Sequence, residues 1–198
     1  MAIREYIDKD RDKIRITYYD LMENIEVLER KDLEDKLREL INLDVDFLDP
    51  YLILYEMYLE EDKKKKADEI LDDAYSRAIK LITDKNGRWP DILDWSWLEN
   101  RHIIRTILNK AMSLWDNGDT EEALNLLRKL LKTNPYDNIG ARHYILAIRM
   151  GMSLKEFEER FDRGGYYDSE LSDWFDENYN DFPDEFEWWK KEIEYEEL

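Results

Sequence analysis

Apolar residues recur along most of this chain at three- and four-residue steps, the spacing that gathers them on one face of an α-helix. The clearest stretch is 98–162. Leu98 to Trp115 and Thr120 to Lys132 read as two amphipathic helices that meet at Asn117-Gly118-Asp119, and Pro135 closes the second. Asp119 with Glu122 has capping spacing, and Asp137 is placed to cap a helix containing Ala141, Tyr144, Ile145 and Ile148, ended by Gly151. Ser153 with Glu156 is a second capping box, opening a short helix that turns Leu154, Phe157 and Phe161 inward.

Upstream, Ile14, Tyr18, Leu21, Ile25 and Leu28 predict one helix, and Leu33, Leu37, Leu40 and Ile41 a second. Asp49-Pro50 starts another, since proline suits a first turn. Its apolar run, Tyr51 to Leu59, ends in the turn Glu60 to Lys63. Ala67, Ile70, Leu71, Ala74, Ala78 and Leu81 then predict a long helix to about Thr83. The segment 85–90 is a loop, and Asp91 is placed to cap the segment after it. Past Gly164-Gly165, aromatic residues are set among acidic ones, Pro183 divides the segment, and 184–198 reads as helical. No hairpin signature or low-complexity linker interrupts the chain. The expectation is an all-α protein of about eight to ten helices.

Composition adds polarity to that picture. Six Gly and four Pro among 198 residues leave few helix breakers, and 13% aromatic residues supply a core. The net charge is −19, and it is uneven: residues 164–198 hold 13 acidic and 2 basic groups. Such a surface repels phosphate, so neither nucleic acid nor membrane is an expected partner. Without Cys, thiolate chemistry and disulfides are excluded. No apolar leader or run of membrane-spanning length is present, which makes a cytoplasmic location the expectation.

Ile107, Lys110, Ala111 and Leu114, then Ala123 and Leu127, then Pro135 come in the order of a known helical hairpin repeat. The segment resembles the tetratricopeptide repeat, whose pattern is W-x2-L-G-x2-Y, A-x3-F and P. Ala111 and Ala123 stand where small side chains let two helices approach. Lys110 departs from the apolar residue expected there. The best-matched repeat is 104–137. A diverged copy covers about 48–83, with Tyr51, Leu54, Tyr55 and Tyr58 before Ala67 and Leu71, and a third covers about 138–163. Asn134 to Tyr144 is also similar to bacterial tetratricopeptide proteins resembling the suppressor-of-tumorigenicity-7 family. The resemblance implies a short right-handed solenoid of antiparallel helix pairs over 1–163, with 164–198 as an acidic aromatic segment packed as a cap.

In that family the first helix of each pair lines the concave groove. The same register places Arg105, Asn109, Met112 and Asp116 there from one repeat, and Arg142, His143, Leu146 and Arg149 from the next, with Arg101 and His102 just upstream. This basic patch suits a carboxylate-bearing peptide, because guanidinium offers paired donors to two oxygens. The competing expectation is that these arginines are solvated or form intrahelical ion pairs. His102 and His143 fit no zinc spacing, Asp44 to Asp49 lacks the glycine of a calcium loop, and Lys63 to Lys66 reads as a solvated turn. Trp89, Trp95, Trp97 and Trp115 read as packing residues.

The tail admits three roles: a cap, a partner-binding segment, or an autoinhibitory acidic end, Glu194-Tyr195-Glu196-Glu197-Leu198, docked in the basic groove. Neither cofactor nor metal is expected, and no Gly-rich phosphate loop or Ser-His-Asp signature suggests catalysis. The expected function is non-catalytic protein–protein interaction, a peptide or helix docking in the groove. The alternative is an acidic nucleic-acid mimic, an inhibitor or antitoxin that binds a basic protein through the C-terminal segment.

Overall fold

The computed structural model describes residues 3–164 and 166–196, with side chains described as far as Ile193. It forms two units, Met1–Lys110 and Ala111–Leu198. Among the described residues there are ten α-helices and no strand. The helices are α1 (Asp12–Met22), α2 (Arg30–Leu43), α3 (Asp49–Glu60), α4 (Lys64–Ile82), α5 (Arg101–Asp116), α6 (Thr120–Thr133), α7 (Ala141–Arg149), α8 (Leu154–Phe161), α9 (Glu170–Asn178) and α10 (Pro183–Glu196). None of the described helices is long and apolar enough to cross a membrane. The best-matched repeat, 104–137, straddles the boundary between the units.

In the first unit the heptad-like spacing of Leu33, Leu37 and Leu40 on α2 buries all three. They join Tyr18, Phe47, Leu54, Met57, Tyr58 and Ala67 in one core. Pro50, whose fixed φ suits a first turn, is the second residue of α3, which forms a hairpin with α4. On α4, Ala67, Leu71, Ala74, Ala78 and Ile82 line a fully buried stripe in which three alanines bring α3 close. The helix expected over Ile14 to Leu28 ends at Met22. The chain then makes a 3-10 turn, Ile25–Val27, and becomes extended at Leu28. Asn24 turns its side-chain amide back to the Asp20 carbonyl there, a local bond that competes with helix propagation.

In the second unit α6 packs on α7, and α7 on α9. Ala123, Leu124, Leu127, Leu130 and Leu131 form the buried face of α6. The capping box at Ser153 and Glu156 is present in both directions, and Gly151, at φ +79°, ends the preceding turn. Asp137 accepts from the Ala141 and Arg142 amides at the start of α7. Asp119 behaves otherwise: its side chain makes no cap, because its ψ of 56° is far from the extended geometry that aims a carboxylate at the next turn. Asp91 caps no helix either, since its carboxylate receives the Arg4 amide.

Candidate functional site

The arginines of the predicted groove fall in both units, and each is held by its own chain. Within the first unit, Arg105 forms a two-point pair with Asp49, Nε to Oδ1 at 3.0 Å and Nη2 to Oδ2 at 2.6 Å. Burial opposes the charge on Arg105, yet the Asp49 carboxylate outweighs it and holds the guanidinium above its usual range. Arg101 donates to the Trp95 carbonyl and lies over the Trp95 ring. Asn109 donates to the Arg105 carbonyl of its own helix.

His102 and Asp8 superficially form a catalytic pair, with Nε2 and Oδ2 3.0 Å apart and both side chains buried. The other ring nitrogen decides the matter. The Leu48 amide donates to Nδ1 at 3.1 Å, so Nδ1 carries no proton and Nε2–H donates to Asp8. Both nitrogens are committed, and none is left to act as a base. Arg11 and fully buried Asn100 complete this cluster: Arg11 donates to Asp8, while Asn100 accepts from the Asp8 amide and donates to the Tyr6 and Asp94 carbonyls. Burial opposes ionisation of Asp8, but His102 and Arg11 hold its carboxyl down to about 2.

Within the second unit the basic face of α6 and α7 meets the acidic C-terminal helix. Glu185 of α10 is 6% exposed and receives Arg128 through both of its oxygens, one of these contacts at 2.9 Å. Arg149 donates to the same carboxylate and to Asp184, the latter at 2.7 Å. Burial works against the Glu185 charge, yet the two arginines keep its carboxyl below the usual range. Arg149 also lies over Phe182, and Arg142 lies 5.4 Å from the ring centres of both Phe175 and Trp189. Trp189 donates to the Pro135 carbonyl at 2.8 Å. Beside the ion pairs is a cavity of about 460 Å³ lined by Arg128, Leu131, Lys132, Ile145, Asp184, Glu185 and Trp188.

Arg142 also pairs with Asp137 at 2.9 Å. Burial pushes the Asp137 carboxyl up to about 6, against the pull of Arg142 and the two amides it caps. His143 is buried edge-on to Phe175, and its Nε2 has no hydrogen-bond partner. Burial, and then the neighbouring Arg142 charge, push its imidazole down to about 3. Among the predicted packing residues, Ala111, Ala123 and Leu127 are fully buried, whereas Leu114 is half-buried. Pro135 is half-buried as well, and its carbonyl accepts from Trp189.

Neither Arg128 nor Glu185 was among the expected site residues. The available signal was an arginine interrupting the leucines of α6 and an acidic helix elsewhere in the chain with charge to match it. The acidic end 194–198, considered as a docking segment, lies outside the described side chains. Among the described residues no three His, Asp or Glu side chains converge as a metal site. No family model, no curated protein and no solved structure matches this chain.

Proposed function

We propose that this protein is a non-catalytic interaction protein whose α6–α7 face takes acidic helices bearing aromatic anchors. The observation that carries the reading is the grip of Arg128 and Arg149 on Glu185. That contact, a carboxylate met by guanidinium donors and flanked by Phe182 and Trp189, supports the reading as an example of the chemistry such a face would take. In this reading the hairpins are tetratricopeptide-like, stacked as a short right-handed solenoid, and the C-terminal segment is both cap and resident occupant. A partner with the same chemistry binds when α10 lifts.

Mimicry of nucleic acid draws less support. Asp168, Glu170, Asp184, Glu185 and Glu187 of the acidic segment are already ion-paired within the chain.

A labelled peptide of residues 183–196 tests the reading when titrated against the full chain. Wild-type protein presents an occupied face and binds weakly. The Glu185→Gln chain has a loosened α10 and binds at least about tenfold more tightly, because apparent affinity scales with the fraction of open face. Adding Arg149→Gln to that variant reverses the gain. If the Glu185→Gln chain shows no saturable binding, the segment is purely structural and the reading is wrong.

A further inference from the structure

A different surface lies in the first unit, between α1 and α2. A cavity of about 380 Å³ is lined by Thr17, Leu21, Asn24 and Leu28 on one side and by Lys36, Glu39, Leu40 and Leu43 on the other, with Asp20 at its edge. The first side starts on α1 with Thr17 and Leu21 and continues past its end through Asn24 and Leu28, which flank the 3-10 turn, while Lys36, Glu39, Leu40 and Leu43 share one face of α2. The lining runs along α2 from Lys36 to Leu43, seven residue steps of about 1.5 Å, or about 10 Å and two helical turns. Leu43 is 76% exposed, and Val27, beside Leu28 in the chain, is 81% exposed. Such residues gain by being covered.

Charge selects the occupant. Around this groove the arginines are consumed internally: Arg15 pairs with Asp12 and Glu99, Arg30 with Glu60 and Glu61, and Arg38 with Glu34. Among the described residues Asp20, Glu23, Glu26 and Glu39 have no ion pair. Lys36 is the single base of the lining, and Lys13 lies one turn before Thr17. A second copy of a chain with net charge −19 is repelled. We infer that the α1–α2 groove docks an amphipathic helix of a partner protein, with an apolar stripe at i, i+3, i+4 and i+7 and flanking Lys or Arg. This site is separate from the arginine face of α6 and α7, takes a partner of opposite charge, and stands or falls independently of it.

The test uses the full chain and two labelled synthetic helices of about fifteen residues. One carries leucines at that spacing with lysines elsewhere; the other has every lysine replaced by glutamate. The lysine helix binds saturably at one site, and the glutamate helix does not. Leu43→Ser leaves the circular dichroism and melting temperature unchanged, because the side chain is exposed, yet weakens the lysine helix about tenfold. Asp20→Lys with Glu39→Lys shifts preference toward the glutamate helix. Binding of the lysine helix that Leu43→Ser leaves untouched is charge attraction without a groove, and overturns the inference. So does equal binding of the two helices. A dimer in sedimentation that Leu43→Ser dissolves overturns it too, by making a second copy the occupant.

Discussion

Glu185→Gln keeps the volume and one carbonyl of the side chain and removes only its charge. The carboxylate is 6% exposed and accepts from Arg128 through both oxygens and from Arg149 through one. Removing one partner of a fully buried pair costs ~3–5 kcal/mol, because the other charge is left uncompensated. Here the side chains of Arg128 and Arg149 are 37% and 26% exposed, so water recovers part of that cost. Arg149 also retains Asp184. A loss of about 2 kcal/mol for the second unit is the expected outcome. Urea unfolding at neutral pH reads it, with a urea dependence of roughly 1–3 kcal/mol per molar giving a midpoint shift of about 1 M. The deficit shrinks in high salt, since the wild-type pairs are partly screened. A midpoint unchanged within error, at low and high salt alike, refutes the reasoning that these ion pairs hold α10 on α6 and α7.

Three other contacts give further expected outcomes. Asn100→Leu strands the Asp8 amide in a buried bond and the Tyr6 and Asp94 carbonyls in part-buried ones, each lost bond costing about 0.5–1.5 kcal/mol, so the stability of the first unit in thermal unfolding drops by about 2 kcal/mol; a loss below about 0.5 kcal/mol contradicts the cluster. Ser153→Ala removes the hydroxyl that accepts from the Glu156 amide and costs about 1 kcal/mol in denaturant unfolding, with near-neutrality as the opposing result. His143 is held neutral, with its imidazole at about 3 against an ordinary ~6.5. Its contribution is therefore intact above pH ~6.5 and lost as pH falls toward 3, by about 2 kcal/mol at pH 5. Asp137, raised to about 6, runs the other way between pH ~6 and ~4, but it does so in wild type and in His143→Phe alike. In urea unfolding the wild type must lose about 2 kcal/mol relative to His143→Phe between pH 7 and pH 5; parallel curves contradict the burial of this ring.

Much of the helical framework was legible because it rests on local physics. The spacing of Leu33, Leu37 and Leu40, the small-residue stripe of α4 and the Ser153–Glu156 box each act within a few turns. The end of α1 at Met22 was not, because its apolar spacing continues through Leu28 while a bond from Asn24 to Asp20 ends the helix. Pairing across long separations was hidden for a different reason. Asn100 meets Tyr6 and Asp8 from more than ninety positions away, and Arg128 meets Glu185 across 57. The basic helix face and the acidic tail were each visible as charge patterns, but only the folded chain brings Arg149 to Asp184 and Glu185. An arginine that reads as available in a helical repeat thus turns out to be spoken for.

Hydrogen–deuterium exchange along α10 tests the central claim most directly. If the acidic C-terminal helix is seated on the arginines of α6 and α7, amides from Trp188 to Ile193 exchange at least about a hundredfold more slowly than in an unstructured peptide, and Glu185→Gln erases most of that protection while α3 and α4 keep theirs. Exchange of these amides at unstructured rates in the wild-type chain, with α6 and α7 protected as before, contradicts it.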